Sequence, residues 1–353
     1  ETLADGTVRI FARLSVGGDA MRVTLSNRFG TAPLVFDAVH VARSNSPAAI
    51  DPASDRAVTF AGSTIVNIPI GAEATSDPVS LSASALSDVA VSMHAASVTA
   101  LTTGHKSTTN SSISTPGNAV SAAVYGTATF SPNLYWLTEI DTSTTDATHV
   151  VVAFGDSITD GSNSTQGAHK SYPEQLAARV SENVNPRIAV VDAGIGGNRW
   201  LVDNPGPAGL TRFDHDVLGV AGVTHTIILL GINDFEVATA FASPPVTAEA
   251  LELATTQAIA KAKAKNVKVI LGTLTPYKGA ALFNAGDEAQ RQAYNAWVRQ
   301  NKDADAIVDF DAALRDPADP QSLAPQYASF DHLHPNDAGY GAMAAAVDLA
   351  TLR

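Results

Sequence analysis

The hydrophobic rhythm of the chain changes once. Up to about residue 145, apolar and polar residues alternate, as in "TVRIFARLSV" (7–16), "MRVTLSN" (21–27), "AVTFAG" (57–62), "STIVNIPI" (63–70) and "DVAVSMHA" (88–95). Period two is the signature of strands with two unlike faces. Gly-, Pro- and Ser-rich clusters such as "SNSPAAIDPAS" (44–54) separate these runs, and no helical stretch interrupts them. Residues 1–145 therefore predict an all-β sandwich, jelly-roll-like accessory domain. The segment "STTNSSIST" (107–115) reads as an exposed loop.

After "EIDTSTTDATH" (139–149), solid apolar runs replace the alternation: "VVVAF" (150–154), "RIAVVDAG" (187–194), "HTIILLG" (225–231), "VKVILGTLTP" (267–276) and "AIVDF" (306–310). Helical patterns fall between or after them, near 171–184, 210–219, 247–265, 287–301 and 336–350. Strands that are apolar throughout and alternate with helices predict a parallel sheet covered on both faces. Residues 146–353 are thus expected to form a three-layer α/β/α domain, with any active residues on loops at the carboxyl ends of its strands.

Composition narrows the function. The 353 residues are 45% hydrophobic, as in a well-packed globular chain, and the net charge of −13 disfavours nucleic acid and anionic membranes as partners. With no cysteine, thiolate chemistry, disulfides and Cys-type zinc sites are excluded. The longest apolar run, "TIILLGI" (226–232), falls far short of the ~20 residues of a membrane helix, so no stable membrane insertion is expected. The chain opens at Glu1 without Met or an apolar leader core, as a processed or trimmed chain would. Its wealth of Ser, Thr, Ala and Asn and few Lys point to a secreted or periplasmic location.

Four short segments in the second half carry candidate chemistry. "GDSITDG" (155–161) follows a strand and presents Ser157. A serine hydroxyl is a poor nucleophile without a base, and the base needs an orienting group. "DHLH" (331–334) offers both, because Asp331 and His334 are three apart and can meet within one turn. An oxyanion would find donors in the Ser157 N–H, in the Gly197 N–H of "GIGGN" (194–198) and in the Asn233 amide of "GIND" (231–234). Asp156, Arg199 and Trp200 are expected to line the substrate, with packing as the alternative for Trp200. Asp160 is expected to stabilise its turn, Asp234 to anchor its own loop or the catalytic neighbours, and His332 to be a surface residue or to support the site from behind.

Competing readings are weaker. "FDHDV" (213–217) and "DHLH" hold oxygen and nitrogen donors, but their spacing does not suit zinc, and no metal or other cofactor is expected. In "VVDAGIGG" (190–197) Arg199 stands where a dinucleotide-binding loop needs its last glycine. No G-x-S-x-G elbow occurs. A glycan-binding protein with an inert second half is the alternative from another class.

The four segments, in this order, resemble the sequence blocks of the SGNH (GDSL) hydrolases. The resemblance implies a serine esterase with Ser157, Gly197, Asn233 and His334 as the four named residues and Asp331 completing a triad. Ile158 stands where the family name has Leu. "MRVTLSNRFGTAPL" (21–34) is similar to the β-module that precedes the hydrolase domain in xylan acetylesterases and arylesterases. The expected substrate is therefore a small ester or an acetylated carbohydrate, with a general short-chain or aryl esterase, or a lipase-like acylhydrolase, as the alternative.

Overall fold

The computed structural model of the chain describes residues 2–46, 48–106, 108, 110–144, 148–183, 187–240 and 245–353. Two units divide it, Glu1–Ala147 and Thr148–Arg353.

Among the described residues, every strand pairing within the first unit is antiparallel. Strand Gly6–Arg13 pairs with Asp88–Ala95 on one side and with Ser112–Pro116 on the other, and Asp88–Ala95 pairs onward with Ala38–Ser46. A second sheet joins Leu137–Ser143, Ala20–Ser26 and Glu73–Thr75. Val8, Ile10, Val89 and Val91 from the first sheet share one apolar core with Met21, Val23 and Leu25 from the second. The alternating residue Phe11 serves a smaller core on the other face, with Ala42, Ala90, Ile113 and Tyr125. Buried Arg9 bonds Ser92 there and lies 4.4 Å over the Tyr125 ring. The sequence reading of 107–115 as a loop is corrected in part. Residues 112–115 belong to a strand, with Ser112 and Ile113 buried, while residues 107 and 109 lie outside the described residues. Serine-rich composition misleads here because hydrogen bonding satisfies the polar groups, the Ser112 hydroxyl donating to the Asn133 carbonyl.

The second unit is built on a five-stranded parallel sheet: β1 (Thr148–Gly155), β2 (Arg187–Gly194), β3 (Val223–Leu229), β4 (Lys268–Gly272) and β5 (Ala306–Val308). Its order is β2-β1-β3-β4-β5. Val151, Val152, Ala153 and Phe154 of β1 are fully buried, which is why the strand reads as an unbroken apolar run. The helices are α1 (Ser157–Asp160), α2 (Tyr172–Asn183), α3 (Gly209–Asp216), α4 (Ile232–Ala240), α5 (Ala248–Ala264), α6 (Ala285–Gln300), α7 (Phe310–Leu314) and α8 (Asp337–Ala346). One packed group contains α2, α7 and α8, another α3, α4, α5 and α6. The chain leaves β1 for β2 on one side and then returns past β1 to β3. That reversal makes the carboxyl ends of β2, β1 and β3 the point where a crevice opens in such a sheet.

Candidate active site

Three adjacent strand ends and one loop supply the candidate residues. Gly155 of β1 is in register with Gly194 of β2 and Leu229 of β3. Directly after β1, Asp156 caps α1 by accepting the Ile158 N–H at 2.9 Å. Gly161, left-handed at φ 88°, closes the turn by donating to the Ser157 carbonyl. Ser157 is thereby the first residue of a tight turn. Its N–H points out of the helix start, where helices leave donors unpaired. A side chain at Gly155 would run into Thr159 and the Leu229 carbonyl, so glycine lets the turn lie over the strand ends.

After β2 the loop folds into a turn, the Asn198 N–H donating to the Ile195 carbonyl. Gly197 takes φ 72° at its third position, where the turn demands glycine, and a β-carbon there would press on Pro205. After β3, Asn233 stands in the first turn of α4, a helix that the turn-like "GIND" concealed. The side-chain amide of Asn233 donates to the Asn198 carbonyl at 3.2 Å, bringing the second and third loops together. An amide nitrogen has two hydrogens, so a second remains for another acceptor. Among the described residues, neither the Ser157 nor the Gly197 N–H is hydrogen-bonded within the chain.

His334 closes the group. Its Nε2 accepts from the Ser157 hydroxyl at 2.7 Å, and its Nδ1–H donates to Asp331 Oδ2 at 2.7 Å. Asp331 Oδ1 accepts the Leu333 and His334 N–H groups, each at 3.0 Å, and the Ser329 hydroxyl at 2.8 Å. Burial works against the charge on Asp331, but the His334 side chain, the His334 N–H and the Ser329 hydroxyl hold its carboxyl well below the usual range. It is thus a carboxylate at neutral pH, as an orienting group must be. His332 takes φ 59° and points to solvent.

The other sequence candidates fall elsewhere. Asp156 does not line a substrate surface: it is 1% exposed, only its Oδ1 is used in the cap, and burial pushes its carboxyl up to about 7. Trp200 is also removed from that role, fully buried against Phe154 with its indole N–H on the Leu230 carbonyl. Arg199 folds back onto the carbonyls of Asp203 and Asn204 in its own loop. Asp234 accepts the N–H groups of Trp200 and Leu201 and so ties the glycine loop to α4, while its burial pushes it up to about 7.

The sequence did not single out Asn163, Asn198 or Arg212. Asn163 donates to Asp331 Oδ2 at 2.7 Å and to the Ser329 hydroxyl at 3.1 Å. Nearby, Thr165 donates twice to the Asp337 carboxylate, and the Tyr340 hydroxyl donates to the Ser162 carbonyl. The loop after Ser157 is therefore stitched along its length to the segment that bears Asp331 and His334.

A hydroxyl, an imidazole and a carboxylate bonded in series at the carboxyl edge of a parallel sheet form the arrangement of a serine hydrolase. The model of the GDSL-like lipase/acylhydrolase family matches residues 153–342, more than half of the chain, and the chain belongs to that family. It is a carboxylic ester hydrolase. Among solved structures, the chain is similar to an alpha/beta hydrolase enzyme from the metagenome of Lake Arreo, Spain, with 22% identity and a TM-score of 0.46, over 57% of this chain and 94% of that one. It is also similar to an acetyl xylan esterase from Geobacillus stearothermophilus, with 21% identity and a TM-score of 0.44, over 56% and 92%. A third, a GDSL-like lipase from Bacteroides thetaiotaomicron, has 22% identity and a TM-score of 0.41, over 57% and 87%. No curated protein matches the chain.

Proposed function

We propose that Ser157 is the nucleophile of this hydrolase, His334 its general base and Asp331 the group that orients the imidazole. The observation that carries this reading is the unbroken chain Ser157–His334–Asp331, 2.7 Å at both links. Ser157 Oγ attacks the ester carbonyl as its proton passes to Nε2, and Asp331 stabilises the resulting imidazolium. The Ser157 N–H, the Gly197 N–H and the Asn233 amide hold the oxyanion, each contributing about 3 kcal/mol in the transition state. Collapse of this intermediate breaks the bond to the alcohol, which leaves with the proton from His334. Water then adds to the acyl-enzyme, giving its proton to His334, and the carboxylic acid departs as Ser157 regains a proton.

For the substrate we propose a short acyl ester, acetyl foremost, with an acylated carbohydrate as the alcohol side. The acidic charge and the lack of long apolar stretches support a small hydrated ester over bulk lipid. A second reading, an aryl or longer-chain esterase, has its own support in exposed apolar side chains on the site loops. Phe330, just before Asp331, is 86% exposed, and Leu201 and Val202 after the glycine loop are 37% and 49% exposed. One experiment tests both: a chain-length series of nitrophenyl esters beside acetylated xylan, with Ser157→Ala as blank. Ser157→Ala should fold and be inactive; near-normal turnover overturns the nucleophile. Preference for long acyl chains overturns the acetyl reading.

A further inference from the structure

Arg212 on α3 belongs to no motif, and yet it is 1% exposed behind the candidate site. Its Nη2–H donates to the Gly155 carbonyl at 2.7 Å, at the end of β1 two residues before Ser157. Its Nη1 donates to the Ala193 carbonyl of β2 at 2.8 Å and to Asp216 at 3.0 Å. Its Nε–H donates to the Asn198 side chain at 2.9 Å, and the guanidinium lies 4.0 Å over the Phe154 ring. Asn198 in turn donates to the carbonyls of Pro205 and Pro207, each at 2.9 Å, and its own carbonyl accepts from Asn233.

One planar cation thus spans two strand ends and reaches the third through Asn198. A buried charge is costly, and a helix face packed on a sheet is ordinarily filled with apolar side chains. What a guanidinium supplies here is a rigid fork of donors at fixed separation, which neither Lys nor an aliphatic residue has. The Gly155 carbonyl lies two residues before Ser157, the Ala193 carbonyl four residues before Gly197, and Asn198 directly follows Gly197.

We infer that Arg212 is a positioning residue for ester hydrolysis, setting the separation of the Ser157, Gly197 and Asn233 donors by clamping the ends of β1 and β2 and the glycine loop. The inference rests on the oxyanion assignment above. It predicts a defect in transition-state binding rather than in substrate binding or in the amount of folded protein.

The test uses the full chain with Arg212→Met and Arg212→Lys. For each, kcat and KM on a nitrophenyl acetate are measured beside the melting midpoint and the Ki of an alkylboronic acid. The tetrahedral boronate on Ser157 would place an oxygen at the same donors. In Arg212→Met, kcat/KM should fall about a hundred-fold, the cost of ångström-scale misplacement, with KM within about threefold of wild type. The boronate Ki should rise in step, and Arg212→Lys, which keeps the charge and part of the donor set, should lie between. A residue that merely holds the fold would lower the active fraction, so kcat would drop with an unchanged Ki, and that result overturns the inference. So do wild-type kcat/KM and Ki in the folded variants. Where Arg212→Met does not fold, Arg212→Lys decides on the same readings. Activity in Ser157→Ala would instead sink the underlying assignment, so the two failures are distinguishable.

Discussion

The side-chain amide of Asn163 donates to Asp331 at 2.7 Å, on the same carboxylate oxygen that accepts from His334. Asn163 holds φ 65°, a left-handed conformation that asparagine tolerates better than most residues. Asn163→Ala should lower kcat/KM by about three- to tenfold by loosening the seat of the Asp331–His334 loop on the Ser157 loop. Asn163→Asp should move the acidic limb of the pH–rate profile to higher pH by about one unit, because a second carboxylate favours the imidazolium. A pH–rate profile of each variant is the check, and an unmoved limb in Asn163→Asp counts against a link to the base.

Loss of the third donor should act on turnover. Asn233→Ala is expected to lower kcat by about a hundred-fold with little change in KM, since its amide would meet oxygen charge only in the transition state. Steady-state kinetics settle it; a rise in KM at constant kcat would assign Asn233 to ground-state binding instead.

Gly155 has no room for a methyl group between Thr159 and the Leu229 carbonyl. Gly155→Ala should cost about 2–4 kcal/mol of stability, as overpacking against backbone does. Urea denaturation followed by circular dichroism measures it, and a wild-type midpoint would refute the crowding.

Glu236 lies one turn beyond Asn233 and is 4% exposed; burial, with Asp287 and Asp331 adding to it, pushes its carboxyl up to about 7. A carboxyl raised in the folded state contributes stability below its unfolded value of about 4.3 and loses it as pH rises through about 7. Glu236→Gln should therefore gain on wild type by a few degrees of melting midpoint between pH 5 and pH 8. Paired thermal melts across that range check the sign, and a constant difference would show that the group does not titrate there.

The parallel sheet was legible because burial on both faces writes itself as solid apolar runs, and the Ser157, Asp331 and His334 segments because their residue types sit in a few consecutive positions. The helix α4 was not: "GIND" carries turn residues, and the packing of Ile232 and Phe235 decides for a helix. Asp156 and Trp200 were misplaced because proximity along the chain says nothing about direction, and both side chains turn inward. Arg212 and Asn198 left no motif since they act on backbone carbonyls, which every residue has. A trace existed nonetheless: helical spacing puts Arg212 on one face with Gly209, Phe213 and Asp216, where a cation has reason to be only if it has buried acceptors.

Asp331 and His334 sit three positions apart on one loop, whose hydrogen bonds run among Ser329, Asp331, Leu333 and His334 themselves. The three-residue relay is therefore mechanically a two-part joint. The carboxylate and imidazole travel as a single preassembled piece, and only its seating against the Ser157 loop can vary. Drift across that one seam would open the Ser157–His334 gap while leaving the Asp331–His334 bond intact, so changes in activity and in base orientation need not go together.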